Sequence, residues 1–239
     1  MHRLDRRSSS YTMSKSSLLP QHTALSHNAL LHEQRETLNS PKRPYGLFAK
    51  AIFGTLDLFY GRPRTIQKFK VLEVIARMPY QAWEHVGYIS MTHMHGKPKF
   101  ARRIFEFVKE SREQQDNEQW HLLILEEMLE QRGIRQGFLR YRAMPQLLAF
   151  VIYHFSWIMY VIDPKLSYKL NADFEDHAEH EYMEFARENP HFENEPYESE
   201  FAMDYGSYAS IADLFRQIAV DERHHKLESI ERMATARFA

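Results

Sequence analysis

Apolar residues recur at intervals of three and four along this chain from Tyr45 onward, and before it they do not. The run GLFAKAIFGTLDLFYG at 46–61 is bounded by glycines and sets Leu47, Phe48, Ile52, Phe53, Leu56, Phe59 and Tyr60 on a broad stripe at helical spacing. Such a helix either caps a core or lies in a membrane interface. The same period predicts helices over 64–94, 99–131, 141–162, 165–188 and 207–235, with no strand-like alternation. Pro79 lies inside the first of these and should kink it, because it lacks an N–H and its ring clashes with the carbonyl four residues back. ENPHFENEPYESE at 188–200 carries two prolines and no apolar face, so it reads as a connection. Residues 1–45, rich in Ser, His, Arg and Pro, read as a disordered tail or, with RRSSS at 6–10 and few acids nearby, as a targeting segment. The chain thus divides into a tail, 1–45, and one all-α domain, 46–239.

The most apolar stretch is QLLAFVIYHFSWIMYVI at 146–162, which follows Arg132, Arg135, Arg140 and Arg142. It sits at the short limit for a membrane span and is interrupted by His154 and Ser156. A core helix or a half-inserted interfacial helix suits it better, and the arginines suit an anionic lipid surface. The formal net charge of −1 lacks the basic excess that neutralises phosphates, so no nucleic-acid partner is expected. With no cysteine, disulfides, thiolate metal sites and thiol nucleophiles are excluded. Any metal must be held by nitrogen and oxygen, for which 14 histidines give ample capacity.

Glu followed three residues later by His occurs as Glu118/His121, Glu188/His191 and Glu222/His225. Pro190 breaks the helix that would align the second pair. The other two continue strong apolar faces: Glu118 and His121 share a side with Leu122 and Leu125, and Glu222 and His225 extend the face of Ile211, Phe215 and Ile218. Two more carboxylates stand in apolar surroundings, Glu73 inside VLEVIA and Glu175 on a face with Ala172, Ala178 and Tyr182. An unpaired buried carboxylate costs several kcal/mol, so each needs a compensating charge. In chain order the set is Glu, ExxH, Glu, ExxH, each on its own helix, which is the ligand arrangement of ferritin-like bundles that hold two metals. Two iron ions require this composition: hard anionic oxygens to balance charge, bridging carboxylates, and one imidazole each. The bland alternative pairs Glu118 with Arg102 or Arg103 and lets the histidines satisfy backbone carbonyls; it leaves Glu73 unexplained.

At these residues the sequence resembles the alternative oxidase family of di-iron quinol oxidases. VLEVIARMPY resembles the family's LET block in the form seen in its plastid terminal oxidase branch, NEQWHL its NERMHL block, FEDHAEHEY its LEEEA block and VDERHH its RADExHH block, all in the family's order. The resemblance implies a ferritin-like four-helix bundle with two additional membrane-interface helices. It also implies a di-iron centre of two iron ions held by Glu73, Glu118, His121, Glu175, Glu222 and His225. Tyr182 matches the family's redox tyrosine, and Asn117 and Asp221 match positions that orient the ligands. Lys68 stands where the family has Arg near the quinol pocket, His177 takes the third acidic position of the LEEEA block, and RADE becomes AVDE.

The resemblance therefore implies a monotopic, membrane-associated quinol oxidase that passes electrons from ubiquinol or plastoquinol to O2 and forms water, as a homodimer. A quinol slot is expected near Lys68, Leu72, His177 and Ala178. Its host would be a bacterial inner membrane, or an organelle membrane if the tail is a transit peptide. Two other readings share the ligand set: a di-iron monooxygenase acting on a quinone-like or other apolar substrate, and a non-catalytic ferritin-like iron-binding protein. The apolar 46–61 and 146–162 segments argue against the last, since a soluble shell has no need of lipid-facing patches.

Overall fold

The computed structural model describes residues 24–235 and 237–238, so RRSSS and the rest of 1–23 lie outside the described residues. Short polar side chains take up free N–H groups at several helix starts and fix their boundaries. Ser26 caps α1 (His27–Asn39). Gly46, whose N–H donates to Asp173 at 2.9 Å, precedes α2 (Leu47–Tyr60). Thr65 caps α3 (Ile66–Ala76), and only Arg77 separates it from α4 (Met78–Met94), because Pro79 cannot continue the ladder. The kink expected at Pro79 is thus a full break two residues earlier. The long α5 (Pro98–Gln131) leads to a π-helical turn, Leu139–Ala143, and then α6 (Met144–Ile162). Asp163 caps α7 (Pro164–Glu188). A 3-10 turn at Pro190–Asn194 and the short α8 (Ala202–Tyr205) fill the acidic connection before Ser210 caps α9 (Ile211–Ala234). No strand is present among the described residues, and the all-α, ferritin-like expectation holds.

Four rods enclose the core: α3 running into α4, then α5, α7 and α9. The α7 and α9 pair is the most extensively packed, around Tyr182, Phe185, Phe215 and Ile218. At Gly87, α4 and α5 approach so closely that an added Cβ would lie 2.5 Å from Val108 Cγ2. Outside the bundle, α6 lies against α3, α4 and α7, while α2 lies against α7. Phe48 of α2 stacks on Phe155 of α6 at 3.9 Å, which joins the two helices into one apolar face. Leu47, Leu58, Phe150 and Ile162 on that face are 87%, 79%, 62% and 74% exposed, whereas the inner side of α6 buries Ala149, Ile152, Ser156 and Tyr160. Leu139–Ile162 is long and apolar enough to cross a membrane. It nevertheless keeps a buried face against the bundle, the division expected of a helix lying half in lipid. Carbonyls freed around the π turn by Pro145 are taken by protein donors: Tyr60 Oη donates to Arg140 O at 2.8 Å and Lys70 Nζ to Tyr141 O at 3.3 Å.

The tail boundary at 45 is placed too late, because residues 24–45 are ordered against the bundle. α1 has no apolar stripe to announce it; Leu30 is its one buried apolar residue, and the rest of its contact is polar. Gln34 donates to Met183 O at 2.9 Å, Thr37 to Glu179 at 2.8 Å, and His27 lies 2.9 Å from Asp213. The following linker runs along α7: the Arg43 amide and the Tyr45 hydroxyl both donate to Asp176 Oδ2, at 2.9 and 3.0 Å. Burial alone would push the Glu179 and Glu181 carboxyls up, yet both are held below the ordinary range, Glu179 by Lys226 and Arg223 and Glu181 by His177, Arg64 and Lys42.

Gly87→Val should cost about 1–3 kcal/mol through overpacking against Val108, read as a lowered thermal midpoint. Gly54→Ala, with open space around its Cβ, should be neutral or stabilising by up to about 1 kcal/mol. Since the folded pKa values of Glu179 and Glu181 are depressed, their contribution to stability is complete above about pH 5 and is lost as pH falls through the lower folded values. Denaturant titrations between pH 7 and pH 3 should show that loss, with a shallower slope in Glu179→Gln.

Candidate metal centre

Each rod delivers its share of the buried acids to the interior of the bundle: Glu73 from α3, Glu118 and His121 from α5, Glu175 from α7, Glu222 and His225 from α9. All six side chains are buried. Their donor atoms form two overlapping groups, Glu73, Glu118, His121 and Glu222, and Glu118, Glu175, Glu222 and His225, the atoms of each within 4.8 Å of one another. Glu118 and Glu222 belong to both. His121 Nδ1 lies 3.4 Å from Glu73 and 3.2 Å from Glu222, and His225 Nδ1 lies 2.8 Å from Glu118. The bland pairing fails, because Arg102 lies beside Glu106 and Arg103 donates to Phe238 O. Glu188 ends α7 beside Arg64 at 2.6 Å, and His191 starts no second pair with it.

Hydrogen bonds divide the four carboxylates into two kinds. Glu73 Oε1 accepts the Tyr182 hydroxyl, and Glu175 Oε1 accepts the Tyr80 hydroxyl at 2.6 Å, leaving Glu73 Oε2 and Glu175 Oε2 without a hydrogen bond. Both oxygens of Glu118 and both of Glu222 lack one. So do the Nδ1 atoms of His121 and His225. Buried polar atoms rarely go unsatisfied. The pattern fits two cations, with one free oxygen on each outer carboxylate and two on each shared one. The residues present therefore suit the two irons that the sequence implies.

Electrostatics point the same way. With protein groups alone, burial first and then Glu222, Glu73 and Glu175 push the Glu118 carboxyl well up. Burial and Glu222 do the same to Glu175, and burial pushes the His225 imidazole down. Cations in the shared volume would reverse that preference at the carboxylates and reinforce it at the imidazole, whose neutral form is the one that ligates. Behind His121, Asp221 lies 3.4 Å from Nε2 and accepts from Tyr205 at 2.7 Å, Gln217 at 3.0 Å and Asn117 at 3.4 Å. That carboxylate fixes the ring with Nδ1 toward the centre. Asn117 and Asp221, both singled out by the motif, lie together behind His121. Two further acidic groups, at Asp176 and at Asp213, already pair with Lys226 and with Arg216.

A narrow cleft of about 20 Å³ opens beside α3, lined by Leu56, Arg64, Lys68, Phe69, Leu72, His177 and Glu181. It gathers Lys68, Leu72 and His177 from the expected set; Ala178 is instead buried in the core behind His177. Lys68 Nζ donates to Asp57 at 2.6 Å and to Gly61 O at 3.0 Å. His177 stacks on Phe53 at 3.9 Å, and burial holds its pKa down to about 4. Phe69 stacks on Tyr182 at 4.2 Å, so two rings span the distance from cleft wall to Glu73. Sequence reasoning missed Tyr80, Tyr205 and Phe69. Tyr205 comes from a helix too short to show a period, and Phe69 looks like any core aromatic.

Comparison with known proteins agrees with the motifs. The chain is 33% identical over 137 residues to ubiquinol oxidase 4, chloroplastic/chromoplastic, of Arabidopsis thaliana, covering 57% of this chain and 36% of that protein. It is 27% identical over 186 residues to the mitochondrial ubiquinol oxidase 1c of the same plant, covering 74% and 51%. A mitochondrial ubiquinol oxidase 2 of Glycine max is 26% identical over 175 residues, covering 71% and 48%. The chain thus spans about half or less of the length of these relatives. Residues 26–233, a match that takes in α1 and runs nearly to the end of α9, fit the alternative oxidase family, and the chain belongs to it.

Proposed function

We propose that this protein is a quinol:oxygen oxidoreductase of alternative oxidase type, with Glu73, Glu118, His121, Glu175, Glu222 and His225 holding two iron ions. The observation that carries the reading is the pair of overlapping donor groups sharing Glu118 and Glu222. When bound, the irons supply the redox chemistry by which dioxygen takes up electrons. The remaining work falls to side chains. The apolar cleft walls Leu56, Phe69 and Leu72 would part to take an apolar ring, and Lys68 and the His177 imidazole offer polar contacts to its hydroxyls. Phe69 and Tyr182 couple that ring to Glu73, and the Tyr182 hydroxyl holds a proton at Glu73 Oε1. Two quinols give four electrons and four protons to one O2, yielding two quinones and two waters.

The membrane reading rests on the joined α2 and α6 face, too large and too apolar for a surface kept in water. The names of the relatives favour an organelle membrane, mitochondrial or plastid, and none of them supports a bacterial one. A homodimer accords with the exposed Tyr88, Ile89 and Phe105 on α4 and α5, which a second copy would cover.

The purified chain should carry two irons and consume O2 with added quinol at one O2 per two quinols, insensitive to cyanide. Glu118→Ala should abolish turnover and full iron loading, and a variant that retains both contradicts the assignment. Oxygen appearing in an organic product would mark a hydroxylase instead. Phe150→Asp should weaken partitioning onto liposomes by about tenfold or more, from the lost burial of one aromatic side chain, measured by co-sedimentation.

A further inference from the structure

Glu73 and Tyr80 lie seven residues apart along the α3 and α4 rod, and Glu175 and Tyr182 lie seven apart along α7. Seven residues are about two turns, or ~10 Å of helix, so each rod carries an acid and a tyrosine at two levels of one face. The hydroxyls cross between rods: Tyr182 donates to Glu73, and Tyr80 donates to Glu175. The two rods therefore meet antiparallel, and each outer carboxylate is gripped by the tyrosine of the opposite rod. Tyr80 is fully buried and bonded on both sides of its oxygen, since Asn171 Nδ2 donates to it at 2.7 Å and to Ser229 Oγ at 3.1 Å. That network ties α4, α7 and α9 at the level of His225, whose ring lies edge-on to Tyr80 at 5.5 Å.

We propose that Tyr80 is a positioning residue that holds Glu175 as a one-oxygen ligand and thereby governs the hold on one of the two metal ions, an inference that rests on the di-iron reading above. A residue needed only for packing would serve as phenylalanine. The ring already finds Trp83 at 5.1 Å, so what the hydroxyl adds is polar, its bond to Glu175 and the one it accepts from Asn171. Free of that bond, Glu175 Oε1 could swing into the shared volume beside Oε2, and the carboxylate would lose its fixed angle. The two tyrosines also differ. Tyr182 touches Phe69 and through it the cleft, whereas Tyr80 backs onto the closed cluster of Trp83, Tyr160 and Tyr168. Tyr80 thus serves the ligand without facing substrate.

The test is iron release from the full-length, iron-loaded chain mixed with excess ferrous chelator. In Tyr80→Phe, one iron per chain should leave about 10- to 100-fold faster than in the wild type, the other at the wild-type rate. Tyr182→Phe should also release one iron faster, and the double variant should release both. Two irons that leave Tyr80→Phe at wild-type rates overturn the proposal, as does equal acceleration of both with a lowered thermal midpoint, which marks a packing role. A double variant that still keeps one slow iron overturns it too, because the tyrosines would then act on the same ion. A wild-type chain that holds no pair of irons sinks the di-iron reading and this inference together.

Discussion

Burying Glu73, Glu118, Glu175 and Glu222 together inside the bundle is the constraint on which the rest depends. Four carboxylates and two imidazoles cannot lie within a few ångströms of one another unless cations or protons offset them. Everything nearby serves to keep those groups aimed inward: the Tyr205, Gln217 and Asn117 donors around Asp221, and the tyrosines on the outer carboxylates. The sharing of Glu118 and Glu222 puts α5 and α9 in both donor groups, while α3 and α7 each complete one.

The outer layer resists drift of the rods by polar means. α1 and the linker after it place hydrogen bonds and ion pairs on the backs of α7 and α9, the pair that packs most extensively. Arg223 reaches Glu33, Thr37 and Glu179 from the residue next to Glu222. Glu179 is thereby gripped from α1 and α9 at once. A hydrophobic contact would tolerate sliding; a directional network at this position fixes rotation of α9 about its own axis.

Period and spacing made the inner half of this protein legible. Glu118/His121 and Glu222/His225 stood out because each interrupts an apolar stripe at one-turn spacing, and Glu73 because VLEVIA leaves it no polar neighbour. The outer half was not legible by the same means. α1 buries mainly Gln34 and Thr37, polar residues that no apolar period reveals. Tyr80 repeats the seven-residue offset of Tyr182, but it lies past Pro79, where a kinked helix gives no assurance that a face continues. Ala178 was expected in the cleft together with His177, yet one residue along a helix is a rotation of about 100°, enough to turn it into the core.

α2 contributes to two surfaces at once: Leu56 walls the cleft, and Leu58 and Leu47 belong to the apolar face that continues through the Phe48 and Phe155 stack. On the function proposed above, a hydrophobic reductant dissolved in a bilayer would reach the cleft sideways, never passing through water. Its supply would then be set by its abundance per unit of membrane and by two-dimensional diffusion, and a water-soluble analogue of identical reactivity would meet this protein only rarely.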